Sequence, residues 1–66
     1  MEQRMNYTAD IEILTVEDMA RMLEVTDRTI YRKVESGEIP HFRIGKKGSI
    51  RVLKSKFLNW IESQHN

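Results

Sequence analysis

The spacing of apolar residues changes period twice along this chain. From Val16 to Val34 apolar residues recur at helical spacing, from Phe42 to Val52 they alternate, and from Leu53 to Ile61 helical spacing returns. In the first stretch Val16, Met19, Ala20 and Leu23 share one helical face, which predicts a helix over residues 16–23. Thr15 is its N-cap, because its hydroxyl can accept from backbone N–H groups of the first turn. Glu17 and Asp18 then stand where negative charge favours a helix N-terminus. Leu14 before the cap and Met19 after it have the spacing of a hydrophobic staple. The same arrangement repeats at once: Thr26 as N-cap, Val25 and Ile30 at staple spacing, Ile30 and Val34 on the inner face. That predicts a second helix near residues 27–36, ended by Gly37 at the left-handed position beyond it. Only about three residues separate the two helices, too few for an extended loop.

Pro40 blocks further helix. Phe42 and Ile44 alternate with His41 and Arg43, and Ile50 and Val52 alternate with Ser49 and Arg51. Gly45-Lys46-Lys47-Gly48 lies between them, so a β-hairpin with a cationic tip is predicted. Two strands alone are marginal, and their apolar face is expected to pack against the helices. Leu53, Phe57, Trp60, Ile61 and Gln64 fall at helical spacing with Ser55 near the start, predicting a last helix over about residues 54–64 that closes the core. Residues 1–12 read as an N-terminal arm and 13–66 as one domain. The predicted class is α+β, in the order helix, helix, hairpin, helix.

Length and charge then narrow the picture. A chain of 66 residues buries only about 60% of the surface that its unfolded form exposes. With no cysteine, neither a disulfide nor thiolate chemistry can assist. This composition fits a cytoplasmic chain. No apolar run approaches the roughly 20 residues of a membrane span, and no signal-peptide pattern begins the sequence. Hydrophobic residues at 39% and charged residues at 32% suit a folded domain. The net charge of +1 conceals a strong asymmetry. Residues 1–26 carry two cations against six acids, a net of −4, while residues 27–56 carry nine against three, a net of +6. A basic middle after an acidic start suits a protein that meets a polyanion through one surface.

The second helix carries much of that basic charge. Taking Ile30 as the centre of its buried face, Arg28 and Arg32 lie about 160° and 200° away, pointing from the core. Thr29, Tyr31 and Lys33 flank them. Arginine can pair bidentately with guanine, and threonine can meet a base or a phosphate. Tyr31 and Lys33 suit phosphate oxygens, which position without specifying. Thr26, at the start of this helix, belongs to the same candidate surface. Lys46 and Lys47 at the hairpin tip suit phosphates or a minor groove. Arg43 and Arg51 are expected to face outward on the two strands, across from each other, either on phosphate or simply on a wet face. Ala20 supplies the small residue a helix-turn-helix needs where its helices meet. Val25 in the turn and Ile30 on the second helix are the apolar plugs of the angle.

The runs Leu14-Thr15-Val16-Glu17-Asp18-Met19-Ala20, Leu23-Glu24-Val25-Thr26-Asp27-Arg28-Thr29-Ile30-Tyr31-Arg32, Gly37-Glu38-Ile39-Pro40 and Arg43-Ile44-Gly45 resemble the excisionase-type helix-turn-helix family, related to the DNA-binding domains of MerR-type regulators. The resemblance covers about residues 13–62. It implies a winged helix-turn-helix with the second helix in the major groove of double-stranded DNA. By that resemblance Arg28, Thr29, Tyr31 and Arg32 are the contact residues, with Lys46 and Lys47 in the wing. One departure stands out: the family has glycine where this chain has Glu24. If the position requires a positive φ, glutamate costs on the order of 1 kcal/mol there; otherwise the turn takes another geometry.

Other chemistries find no support. His41 and His65 have no partner at metal-ligand spacing, so no metal is expected. No glycine-rich phosphate loop and no nucleophile–base pair is present, so no catalytic residue, no cofactor and no enzyme activity are expected. Phe57 and Trp60 read as core rather than as a stacking platform for single strands. Two roles stay open within DNA binding: an excisionase-like architectural factor in DNA recombination, partnered by a recombinase or integrase or by self-association along DNA, and a small regulator of transcription. With the chain ending at Asn66, the dimerisation helix and effector domain of MerR-type regulators are not expected, nor is a small-molecule effector. The rival class is a protein–protein interaction module, with the acidic first helix (Glu17, Asp18, Glu24) as its partner surface.

Overall fold

In the computed structural model, residues 11–64 are described; residues 1–10, most of the expected arm, lie outside them. The elements follow in the order β1 (Ile13–Leu14), α1 (Val16–Leu23), α2 (Asp27–Glu35), β2 (Phe42–Ile44), β3 (Ser49–Leu53) and α3 (Lys54–Ser63). All three expected helices form.

Both inner helices start as their sequences dictate. Thr15 accepts from Asp18 N–H at 3.1 Å, and Asp18 returns the favour by accepting from Thr15 N–H at 2.9 Å, a complete capping box. Thr26 accepts from Thr29 N–H at 3.2 Å. Between the helices Glu24 is left-handed, with φ 59° and ψ 45°. The condition set by the missing glycine is therefore met, and glutamate occupies a conformation that costs an L-residue on the order of 1 kcal/mol. Val25 N–H bonds back to Ala20 O at 3.0 Å, which fixes the turn. At the far end of α2, Gly37 (φ 84°) sends its N–H to Val34 O, and Glu38 N–H reaches Lys33 O, a Schellman closure. The chain turns there so that Ile39 drops into the core.

The sheet departs from the expected two-stranded hairpin. Ile13–Leu14 is a third strand, antiparallel to β3, pairing Ile13 with Leu53 and Leu14 with Val52; the sheet order is β1-β3-β2. Glu12, in the span assigned to the arm, accepts from Lys54 N–H at 2.9 Å, and its carboxylate meets Lys54 Nζ at 2.9 Å. A further correction concerns β2. Its register pairs Phe42 with Arg51, Arg43 with Ile50 and Ile44 with Ser49. Cross-strand partners share a face, so Phe42 and Ile44 lie opposite the buried Ile50 and Val52, and they stay 39% and 44% exposed. The four-residue tip forces this outcome, because its length sets which positions pair. Arg43 and Arg51 are accordingly not across from each other but on opposite faces. Leu53, expected to start the last helical face, ends β3 and is the N-cap residue of α3.

The core joins Leu14, Val16, Met19, Ala20, Ile30, Val34, Ile39, Ile50, Val52 and Phe57. Met19, Ile30, Ile39, Val34, Val52 and Phe57 are the most completely enclosed, each contributing about 1.5–3 kcal/mol if large and aliphatic or aromatic. Ala20 and Ile30 fill the helix–helix angle as expected. Val25 does not, remaining 40% exposed, because its backbone rather than its side chain closes the turn. Trp60 stacks on Phe57 with centroids 5.9 Å apart and packs against the core. Two helices joined by a tight turn, a following β-hairpin and a closing helix make a small winged helix-turn-helix.

Candidate nucleic-acid interface

Helix α2 buries Ile30 and Val34 and turns its opposite arc to solvent. Arg28, Tyr31 and Arg32 are exposed on that arc, while Thr29 and Lys33 are half-buried at its margins. Among the described residues no carboxylate lies within ion-pair distance of Arg28 or Arg32, so both guanidinium groups keep all five donors for a ligand.

The remaining sequence-derived residues are placed differently. Thr26 caps α2, and its hydroxyl lies 3.0 Å from that of Thr29, so the two threonines first serve the helix start. Lys33 leans toward the C-terminal turn, with Nζ 3.6 Å from Glu38 Oε1. Glu38 is steadied there by Ser36 Oγ, which donates to it at 3.0 Å. Lys46 and Lys47 are exposed at the hairpin tip, which Gly48 N–H closes onto Gly45 O at 3.1 Å. Both flanking glycines have positive φ, 72° and 69°, so the tip needs them. Arg43 is engaged within the protein: Nη1 donates to Gly48 O at 3.1 Å and Nη2 to Glu35 Oε2 at 3.3 Å. Arg51 donates to Ile50 O at 2.8 Å, on the edge of β3 that β1 is too short to cover.

Beside that edge opens a cleft of about 270 Å³, lined by Thr15, Val16, Glu17, Tyr31, Ser49, Ile50 and Arg51. It links the α2 arc to the base of the wing. Ser49 was not singled out from the sequence, and Glu17 was read there only as a helix-dipole charge and part of an acidic partner surface, because the cleft joins three segments distant along the chain. The only signal for Ser49 was its place beside the hairpin tip.

On α1 the outer charges are largely satisfied among themselves. Asp18 pairs with Arg21 at 2.8 Å. The Thr15 backbone N–H and hydroxyl beside Asp18, followed by Arg21, hold its carboxyl below the usual carboxylate value. His41 Nδ1 lies 3.0 Å from Ile39 O, and no cluster of three metal-ligating side chains occurs among the described residues. No helix among them is long and apolar enough to cross a membrane.

An exposed basic helix after a tight turn, flanked by a lysine-tipped hairpin, defines the class of helix-turn-helix modules. A family model described as a helix-turn-helix domain matches residues 13–65, and the chain belongs to that family, whose members are excisionase-like. Two proteins of Mycobacterium tuberculosis, from strains H37Rv and CDC 1551, are each 33% identical to it over 57 residues, covering 86% of this chain and 70% of their own. Both carry the name "Putative DNA-binding protein". No solved structure matches the chain.

Proposed function

We propose that this protein binds double-stranded DNA with α2 in the major groove and the Lys46–Lys47 wing on the adjacent backbone or minor groove. The observation that carries the reading is the α2 arc: Arg28 and Arg32, exposed and without a carboxylate partner among the described residues, flank Tyr31 on the face opposite the fully buried Ile30. Those arginines suit guanine edges, with Thr29 on a base or phosphate. Tyr31, Arg51, Lys46 and Lys47 suit phosphates. The excisionase-like family match and the names of the mycobacterial relatives support the same reading.

Within DNA binding, the role proposed is that of an architectural factor for recombination, acting beside a recombinase or along tandem sites. One α2 arc reaches only a few base pairs, so a lone module discriminates weakly. Regulation of transcription is the other outcome.

The test is a fluorescence-anisotropy titration against pooled random duplex DNA at several salt concentrations, with Arg28→Ala/Arg32→Ala in parallel. The expected log–log salt slope is on the order of −0.9 per phosphate neutralised. Affinity without salt dependence, or a double variant that binds like wild type, would refute the interface. A selected duplex labelled at both ends then separates the roles: end-to-end energy transfer reports the bending expected of an architectural factor, and an unbent complex points to simple repression or activation.

A further inference from the structure

We infer that Arg43 is a positioning residue that braces the wing against α2, not a phosphate ligand. The inference rests on the DNA-binding reading only for its consequence; the brace itself belongs to the free protein.

β3 is anchored in the core through Ile50 and Val52, but β2, the outer strand of the hairpin, has few ties of its own to the helices. Phe42 and Ile44 point away from the core and stay exposed, so β2 contributes no buried side chain. The tip is held by one backbone hydrogen bond between two positive-φ glycines. Register places Arg43 across from the buried Ile50, on the same face of the sheet, with its own side chain at the exposed margin. From there its stem crosses the tip: Cδ lies 3.6 Å from where a Cβ on Gly48 would stand. Its guanidinium then divides between two acceptors, Gly48 O at 3.1 Å in the wing and Glu35 Oε2 at 3.3 Å in the last turn of α2. One planar fork thus ties the hairpin turn to the end of the helix proposed to lie in the major groove. A wing whose angle to that helix is fixed in advance loses less freedom on binding. Glu35 also neutralises Arg43, which leaves it poorly suited to a phosphate.

Arginine and lysine separate these roles. Lysine keeps the charge a phosphate needs but cannot span two divergent acceptors. The experiment compares wild type with Arg43→Lys, Glu35→Ala and the double variant. Backbone ¹⁵N relaxation of residues 45–48 is measured in the free protein, and affinity for pooled random duplex DNA is measured across salt. A brace requires that each single variant loosen the tip and weaken binding about two- to fivefold, as expected for losing one exposed, charge-assisted tie. The double variant is then no worse than either single one, and all four proteins share one salt slope.

The inference is overturned if Arg43→Lys matches wild type while Glu35→Ala binds equally or more tightly, the pattern of a phosphate ligand relieved of a competing carboxylate. It is equally overturned if neither Arg43→Lys nor Glu35→Ala loosens the tip; a loosened tip with unchanged affinity removes only the consequence for DNA binding. Should wild type fail to bind duplex DNA at all, the DNA reading falls, and the relaxation data still decide whether Arg43 braces the wing.

Discussion

Helices α1 and α2 are nearly equal in length and begin in the same way, each with a threonine N-cap and two or more buried residues inward. Their outer faces differ. On α1, Asp18 is consumed by the capping box and by Arg21. On α2, Arg28 and Arg32 meet no carboxylate among the described residues. The shared inner pattern builds the fold, and the outer faces set the two helices apart. One helix pairs Asp18 with Arg21 and presents an acidic Glu17 to solvent; the other presents two arginines with no carboxylate partner among the described residues.

The strongest way to break the comparison is to strike the inner faces, where the helices should behave alike. Met19→Ala and Ile30→Ala are each expected to cost about 2–5 kcal/mol, enough to unfold much of a domain with so small a core. Urea denaturation followed by circular dichroism checks this, and a loss below 1 kcal/mol at either site would contradict the packing. Next come the outer faces, where the helices should part. Arg28→Ala/Arg32→Ala is expected to weaken duplex binding at least about 30-fold while stability moves by no more than about 0.5 kcal/mol per site. Glu17→Gln, at the cleft shared with Tyr31 and Arg51, should leave binding unchanged or slightly tighter by the same anisotropy assay.

The turn between the helices gives a smaller effect of opposite sign. Glu24 holds φ 59° where glycine would be unstrained, so Glu24→Gly is expected to stabilise by up to about 1 kcal/mol. That corresponds to a rise in Tm of roughly 4–8 °C for a domain of this size. A fall in Tm would show that the Glu24 side chain contributes something its backbone strain conceals.

The finest distinction is in pH. Asp18 has its pKa depressed in the folded state by the Thr15 N–H and hydroxyl and by Arg21. Its contribution is therefore fully present above the ordinary carboxylate value, near 3.8, and is lost as pH falls through the lower folded value. Wild type should be more stable than Asp18→Asn at neutral pH, and the gap should close in acid below that value. A pH-independent gap would assign the loss to something other than the carboxylate. Thr26→Ala, at a cap without an acidic partner, should lack this dependence.

Local chemistry made much of the molecule legible before the structure. Thr15, Thr26 and Gly37 mark helix ends through hydrogen bonds that span five residues or fewer, and α1, α2 and α3 appear close to where the pattern placed them. The glycine-flanked tip and the exposed arc of α2 follow equally from local spacing. What was not legible depends on partners far along the chain. Two residues, Ile13 and Leu14, carry no strand signal of their own and become a strand only because β3 offers them an edge.

The wing shows the division most clearly. Alternation alone established that Phe42 and Ile44 share one face and that Arg43 takes the other. Which face carries which residue was decided by the pairing of β2 with β3, and that put Arg43 on the Ile50 side of the sheet and the apolar side chains on the other, all three of them exposed. The sequence by itself determined the helices, their caps, the hairpin and the basic arc of α2, because each is set by bonds within a few residues. Only the tertiary structure decided that β1 joins the sheet, that Val25 stays partly exposed, and that Arg43 meets Glu35 at the surface, because long-range register chooses which neighbours a side chain meets.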